Sequence, residues 1–124
     1  MANNDNQFVQ CNLFELPLAA TRAHGGRGEI RFRRIATSAN FAGACNFIDF
    51  TCMPAGTTIG EHTHADDEEE FYLILGGRGI VRVNGEEFEV QAGDLIRNPP
   101  NGTHSLENTS SEELRLFVFE VQVQ

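Results

Sequence analysis

The sequence predicts an all-β fold, a sandwich or barrel of short strands, and three features carry that expectation. Runs rich in alternating, β-branched or aromatic residues recur at short spacing, turn signals separate them, and no segment sustains a helical period. The chain has 124 residues, ten of them Phe, and 40% apolar side chains. That is enough for one compact core and too little for a second fold.

In chain order, residues 1–28 begin polar, carry a mixed stretch from Phe8 to Leu18, and end in His24-Gly25-Gly26-Arg27-Gly28. They read as an arm with room for one short edge strand. Glu29 to Ala36 alternates, and Ala44 to Met53 is rich in Phe, Ile and Thr, so both read as strands. Met53-Pro54-Ala55-Gly56 is a turn, because Pro fixes one dihedral and Gly supplies the conformations a reversal needs. His62-Thr63-His64 lies on an extended segment, the acidic run from Asp66 leads out of it, and a strand begins at Glu70 with Phe71-Tyr72-Leu73-Ile74-Leu75. Gly79 to Val83 alternates, Asn84-Gly85 is a strong hairpin signal, and Glu86 to Gln91 returns as its partner. Ala92-Gly93-Asp94 turns into the short strand Leu95 to Arg97. Asn98-Pro99-Pro100-Asn101-Gly102 is a loop, His104 to Asn108 follows, and Glu113 to Val123 reads as the longest strand.

Composition excludes several functions. A net charge of -9 argues against nucleic acid or an anionic membrane as partner, since both need a basic patch. All nine basic residues are Arg, which removes Schiff-base and lysine general-base chemistry. Cys11, Cys45 and Cys52 are odd in number and lack a C-x-x-C spacing, so neither a disulfide framework nor a thiolate zinc site is indicated. The polar start has no basic n-region or apolar h-region, so no secretory signal is read there and a reducing cytoplasmic setting is expected. The chemistry is concentrated in the histidines. Side chains two apart on a strand share one face, so the imidazoles of His62 and His64 point the same way. A carboxylate from the acidic run, swung back beside them, would make most of a site for a borderline divalent ion.

At this point the residues resemble the cupin family. Gly56, His62 and His64 match the spacing of that family's first motif, and Gly93, Pro99, His104 and Asn108 fall in register with its second. The resemblance implies a double-stranded β-helix or jelly-roll barrel over residues 29–124. It also implies metal ligands at His62, His64, Glu70 and His104. Glu69 is the alternative to Glu70, because it keeps the family's usual gap after His64, whereas strand register favours Glu70. Asn101 stands where the family has Gly, and Asn tolerates the left-handed conformation that such a turn requires.

The cofactor so implied is a divalent transition metal: iron, manganese, nickel, zinc or copper. The implied function is a metal-dependent enzyme acting on a small oxygen-bearing acid or sugar-like compound, of dioxygenase, isomerase, decarboxylase or lyase type. The alternative is a non-catalytic cupin that binds or senses a small ligand. A homodimer is expected, because exposed sheet edges are commonly covered by a second copy. Tyr72 shares the strand parity of Glu70 and is the candidate catalytic side chain facing the cavity, with a plain core aromatic as its other reading. Arg82, Arg97 and Arg115 read as solvent-facing, His24 as a surface residue of the arm, and Asn108 as a turn-stabilising hydrogen-bonder.

Overall fold

The structure is a computed structural model that describes residues 8–124. Ten strands follow one another: β1 (Ala19–Thr21), β2 (Ile30–Thr37), β3 (Cys45–Met53), β4 (Thr58–Thr63), β5 (Glu68–Gly76), β6 (Arg78–Val83), β7 (Glu86–Gln91), β8 (Leu95–Asn98), β9 (Thr103–Glu107) and β10 (Leu114–Gln122). They form a six-stranded sheet, β1-β2-β3-β10-β5-β8, and a four-stranded sheet, β4-β9-β6-β7. The result is the expected all-β jelly roll. The ladders do not close into a hydrogen-bonded barrel; the molecule is two facing sheets.

The element boundaries follow from period-two burial. Along β10, Leu114, Leu116, Val118 and Glu120 are buried, and the residues between them are less so. The inward residues Ile30, Met53, Ile59, Tyr72, Ile74, Val81, Val90, Ile96, Leu106, Leu114, Leu116 and Val118 make one apolar cluster between the sheets. β10 is nine residues long, no longer than β3 or β5, because Glu113 and Val123 lie outside its ladder. β5 begins at Glu68, two residues before the expected start, which puts Glu68 and Glu70 on the same side of the strand.

Two turns behave as their residues dictate. Asn84 and Gly85 both have positive φ, 49° and 85°, the geometry that matches the twist of a two-residue hairpin. Asn101 takes φ 59°, the left-handed conformation anticipated for it, while a Cβ on Gly102 would meet the Pro99 carbonyl at 2.8 Å.

Cross-strand register sorts the inner face of the six-stranded sheet into rows. Phe47, Glu120, Glu70 and Asn98 stand opposite one another across β3, β10, β5 and β8. The next row runs from Arg34 and Asp49 through Val118 and Tyr72 to Ile96. Polarity is thus gathered at one end of the sandwich, and the apolar cluster fills the rest.

Asn108 closes the loop after β9. Its amide donates to the carbonyls of Met53 and Glu112, and its carbonyl oxygen accepts from the backbone and hydroxyl of Ser110. Each buried polar group left without a partner costs about 1–3 kcal/mol. Asn108→Ala is therefore expected to lower unfolding stability by on the order of 3 kcal/mol, measured by urea denaturation, with the largest hydrogen-exchange losses around Met53 and Glu112.

Candidate metal centre

The four-stranded sheet delivers its histidines opposite the carboxylate row. His62 on β4 pairs in register with His104 on β9, so their side chains emerge on one face. His64 follows the end of β4, where its backbone N–H donates to the Gly102 carbonyl. Glu70 projects from β5 toward all three. Ligand atoms of His62, His64, Glu70 and His104 lie within 4.8 Å of one another.

Each side chain is held by identifiable partners. His62 Nδ1 is 2.7 Å from the Gly60 carbonyl, and a carbonyl only accepts, so Nδ1 carries the proton and Nε2 keeps its lone pair. Glu70 Oε1 is 3.0 Å from His104 Nε2 and 3.4 Å from His64 Nε2. His64 and His104 stack, with ring centroids 4.8 Å apart and planes 5° apart. Tyr72 is buried beneath them, its ring edge-on to His104. Burial first, then the charge and hydrogen bond of Glu70, push the Tyr72 hydroxyl well above its usual range, so it is a neutral donor and not a base.

The alternative carboxylate goes elsewhere. Neighbouring residues on a strand face opposite sides, and Glu69 therefore turns outward and pairs with Arg97. Arg82 pairs with Glu87, and the Arg115 guanidinium lies over the Phe14 ring. None of the three arginines singled out in the sequence lines the cavity.

Burial by itself would raise the Glu70 carboxyl, but hydrogen bonds and charge from His104 and His64 outweigh it and leave the group at about 2. His64 moves the other way, to about 10, through its contacts with Glu120 and then Glu70. Desolvation drives His62 down to about 4 against the opposing hydrogen bond to Gly60. Among the described residues, buried His104 Nδ1 has no hydrogen-bond partner, and buried His64 Nε2 has only the long 3.4 Å contact with Glu70. Three imidazoles, one ionised carboxylate and orphaned ring nitrogens in a tight group form a donor set that fits a divalent transition ion.

Above the cluster opens a cavity of about 570 Å³. Its wall includes Phe32, Phe47 and Val118 and a guanidinium absent from the sequence reading, that of Arg34. Asp49 holds Arg34 by two hydrogen bonds of 2.9 and 3.0 Å, through Nε and Nη2. His24 is exposed, as expected of a surface residue, and it also lines the cavity. Its ring stacks on His62 at a centroid distance of 3.5 Å. His24 belongs to a short turn, Ala23–Gly25, and has left-handed φ and ψ of 50° and 41°. A Cβ on Gly60 would meet its carbonyl oxygen at 2.1 Å, so the bare Gly60 backbone is what lets this turn close over β4. Glycine richness around His24 was the one signal in the sequence; it marked a close approach, not a loose arm.

In the metal-free protein the His62 and His64 shifts have opposite consequences for stability. His62, depressed from 6.5 to about 4, takes a proton more readily when unfolded, so acidification from pH 6.5 toward 4 destabilises the fold. His64, raised from 6.5 to about 10, contributes fully below pH 6.5 and loses that contribution as pH climbs toward 10. Melting curves of chelator-treated protein are expected to show an acid-side loss that His62→Gln reduces by on the order of 1 kcal/mol, a figure kept small because the ring is only half-buried. Identical acid-side slopes for the two proteins would contradict this account of His62.

Comparison with known proteins places this geometry. The model of the family described as "Cupin domain" matches residues 49–120, more than half of the chain. An oxalate-binding protein of Thermotoga maritima is 29% identical over 101 residues, 82% of this chain and 83% of that relative. Among solved structures, a predicted oxalate decarboxylase from Thermotoga maritima superposes with a TM-score of 0.86 at 24% identity, covering 92% of this chain and 99% of the other. The cupin domain of Schizosaccharomyces pombe Cnp3 gives 0.76 at 18% identity, covering 92% and 74%. Both structural likenesses speak to the fold alone.

Proposed function

The chain belongs to the cupin domain family, and from that premise we propose that it holds one divalent transition ion on His62, His64, Glu70 and His104 and binds a small oxygen-bearing acid of the oxalate class there. The observation that carries this reading is the convergence of four ligand atoms within 4.8 Å at the floor of the cavity. When bound, the ion supplies positive charge that attracts and polarises an acid's oxygens and, if redox-active, a route for electrons.

The chain's own groups do the rest. Gly60 fixes the His62 tautomer. Tyr72 stays protonated and supports Glu70 from below. Asp49, Glu68, Glu70 and Glu120 line the cavity against only two guanidiniums, those of Arg22 and Arg34. Even with His64 protonated, four carboxylates against two guanidiniums and one imidazolium leave the cavity net negative, so acid binding depends on the ion. Arg34, locked by Asp49 and stacked over Phe47 at 4.1 Å, brings a fixed positive charge to the wall without the entropy cost of a free side chain.

Decarboxylase, dioxygenase, isomerase or lyase chemistry on such an acid is the enzymatic form of this proposal. A non-catalytic binder is the second reading, and what favours it is the oxalate-binding protein among the relatives. The deciding experiment is elemental analysis of chelator-free, tag-free protein, with oxalate calorimetry and a product assay. We expect near-stoichiometric metal, lost in His62→Ala and His104→Ala, and oxalate binding only in metal-loaded protein. Failure to take up any of the five candidate ions would overturn the metal reading, while binding without product would select the binder.

We also propose a homodimer built on the outer face of the six-stranded sheet. There Phe71 stacks on Phe119 at 4.9 Å, Phe117 adjoins them, and Leu95 is 62% exposed. Phe119→Arg is expected to yield monomers by sedimentation; an unchanged mass would exclude this face.

A further inference from the structure

Beyond the four proposed ligands, His64 meets a second set of groups on its far side. Nδ1 lies 3.1 Å from Glu120 Oε1, an ion-pair contact, and 3.4 Å from Glu68 Oε1, a hydrogen bond. Both are carboxylate oxygens, which only accept when ionised, so this nitrogen is surrounded by acceptors. The two differ in how they are held. Glu120 is 5% exposed, stands directly across from Glu70 in the β5–β10 ladder, and receives a 2.9 Å hydrogen bond on Oε2 from Asn46. Glu68 is half-buried, and its Oε1 also accepts from the Ala65 backbone N–H at 3.1 Å, which ties it to the loop between β4 and β5.

We propose that Glu120 is the positioning residue of the centre: it takes the Nδ1 proton of His64 in a hydrogen bond and so commits the Nε2 lone pair of that ring to the ion. Glu68 steadies the same edge of the ring from the loop. The chain of contacts runs from Asn46 through Glu120 to His64, and it does for His64 what the Gly60 carbonyl does for His62. Carboxylates behind ligating histidines fix ring orientation in this way, and losing one costs about 10- to 100-fold in metal affinity. The rival reading makes His64, Glu68 and Glu120 ligands of a second ion, since their atoms also cluster within 4.8 Å. Against it, Glu120 Oε2 and Glu68 Oε1 already accept hydrogen bonds from Asn46 and Ala65.

This inference rests on the proposed metal site, and the test separates the two. In zinc-loaded wild type, long-range ¹⁵N NMR of the His64 ring is expected to show a proton on Nδ1 and one zinc per chain. A proton on Nε2, or two ions per chain, would overturn the role of Glu120. Manganese affinity by calorimetry is expected to fall about 10- to 100-fold in Glu120→Ala and to stay within about threefold of wild type in Glu120→Gln. The Gln oxygen can still accept from Nδ1 once the Asn46 amide flips. Glu68→Ala is expected to lose less than Glu120→Ala, and the reverse order would overturn the assignment. Wild-type affinity in Glu120→Ala would also overturn it and leave the four-ligand site standing, whereas no ion in the wild type overturns both. Should Glu120→Ala fail to fold, the wild-type spectrum and the Gln variant decide.

Discussion

A buried carboxylate facing buried imidazoles is the constraint on which this end of the molecule depends. Glu70 is 6% exposed, and an isolated charge at that depth costs several kcal/mol or shifts its pKa until it is neutral. It stays ionised because His104 and His64 stand over it. Removing one member of such a buried set leaves an uncompensated charge, typically a loss of about 3–5 kcal/mol. The histidines in turn belong to the other sheet, so the pairing ties the two sheets together where the apolar cluster gives out. Packing and site are one problem here: the inward faces of β10 and β5 supply Leu116 and Ile74 in the middle of the sandwich and Glu120 and Glu70 at its end.

That arrangement explains why the cavity is where it is. An apolar row could have continued and closed the sandwich, but Phe47, Glu120, Glu70 and Asn98 occupy that row instead. Asn98 is fully buried, and neither of its amide atoms has a partner among the described residues. Clusters of buried polar groups with ionisations pushed apart, His62 downward and His64 upward, are uncommon in purely structural cores and are characteristic of sites where ions and anions bind. The fold accommodates them by confining strain and polarity to one end while Leu106, Leu114 and Leu116 pack without polar interruption at the other.

What the sequence made legible was everything governed by a short period. Alternation placed the strands, Asn84-Gly85 placed the hairpin, and the i, i+2 spacing put His62 and His64 on one face. Glu69 and Glu70 could be separated only once the register of β5 against β8 was in hand, because that register turns Glu69 to Arg97. His24, Arg34, Asp49 and Glu120 were not legible for a related reason. Each reaches the cavity through pairing between segments distant in the chain, Arg34 with Asp49 across β2 and β3, Glu120 with Glu70 across β10 and β5. No local pattern encodes which arginine of nine faces inward. His24 was further obscured by glycines, which in sequence look the same whether they loosen a segment or let it pack closely.

The electrostatics of the cavity then bear on what kind of ligand can enter. Four carboxylates and two guanidiniums leave a negative lining even with His64 protonated, so on the proposed function the cavity would take a cation first and an anion only afterwards. Such an order would make the ion part of the recognition surface and not merely a reactive centre. The guanidinium of Arg34 cannot reverse the sign alone, because Asp49 has already matched it charge for charge. Its role is directional: with two of its nitrogens bound to Asp49 and its plane over Phe47, it presents a fixed donor edge, a geometry suited to a planar carboxylate. A small planar acid bridging the ion and this edge would meet both charge and shape requirements, whereas a neutral sugar would satisfy neither and would gain little from Arg34.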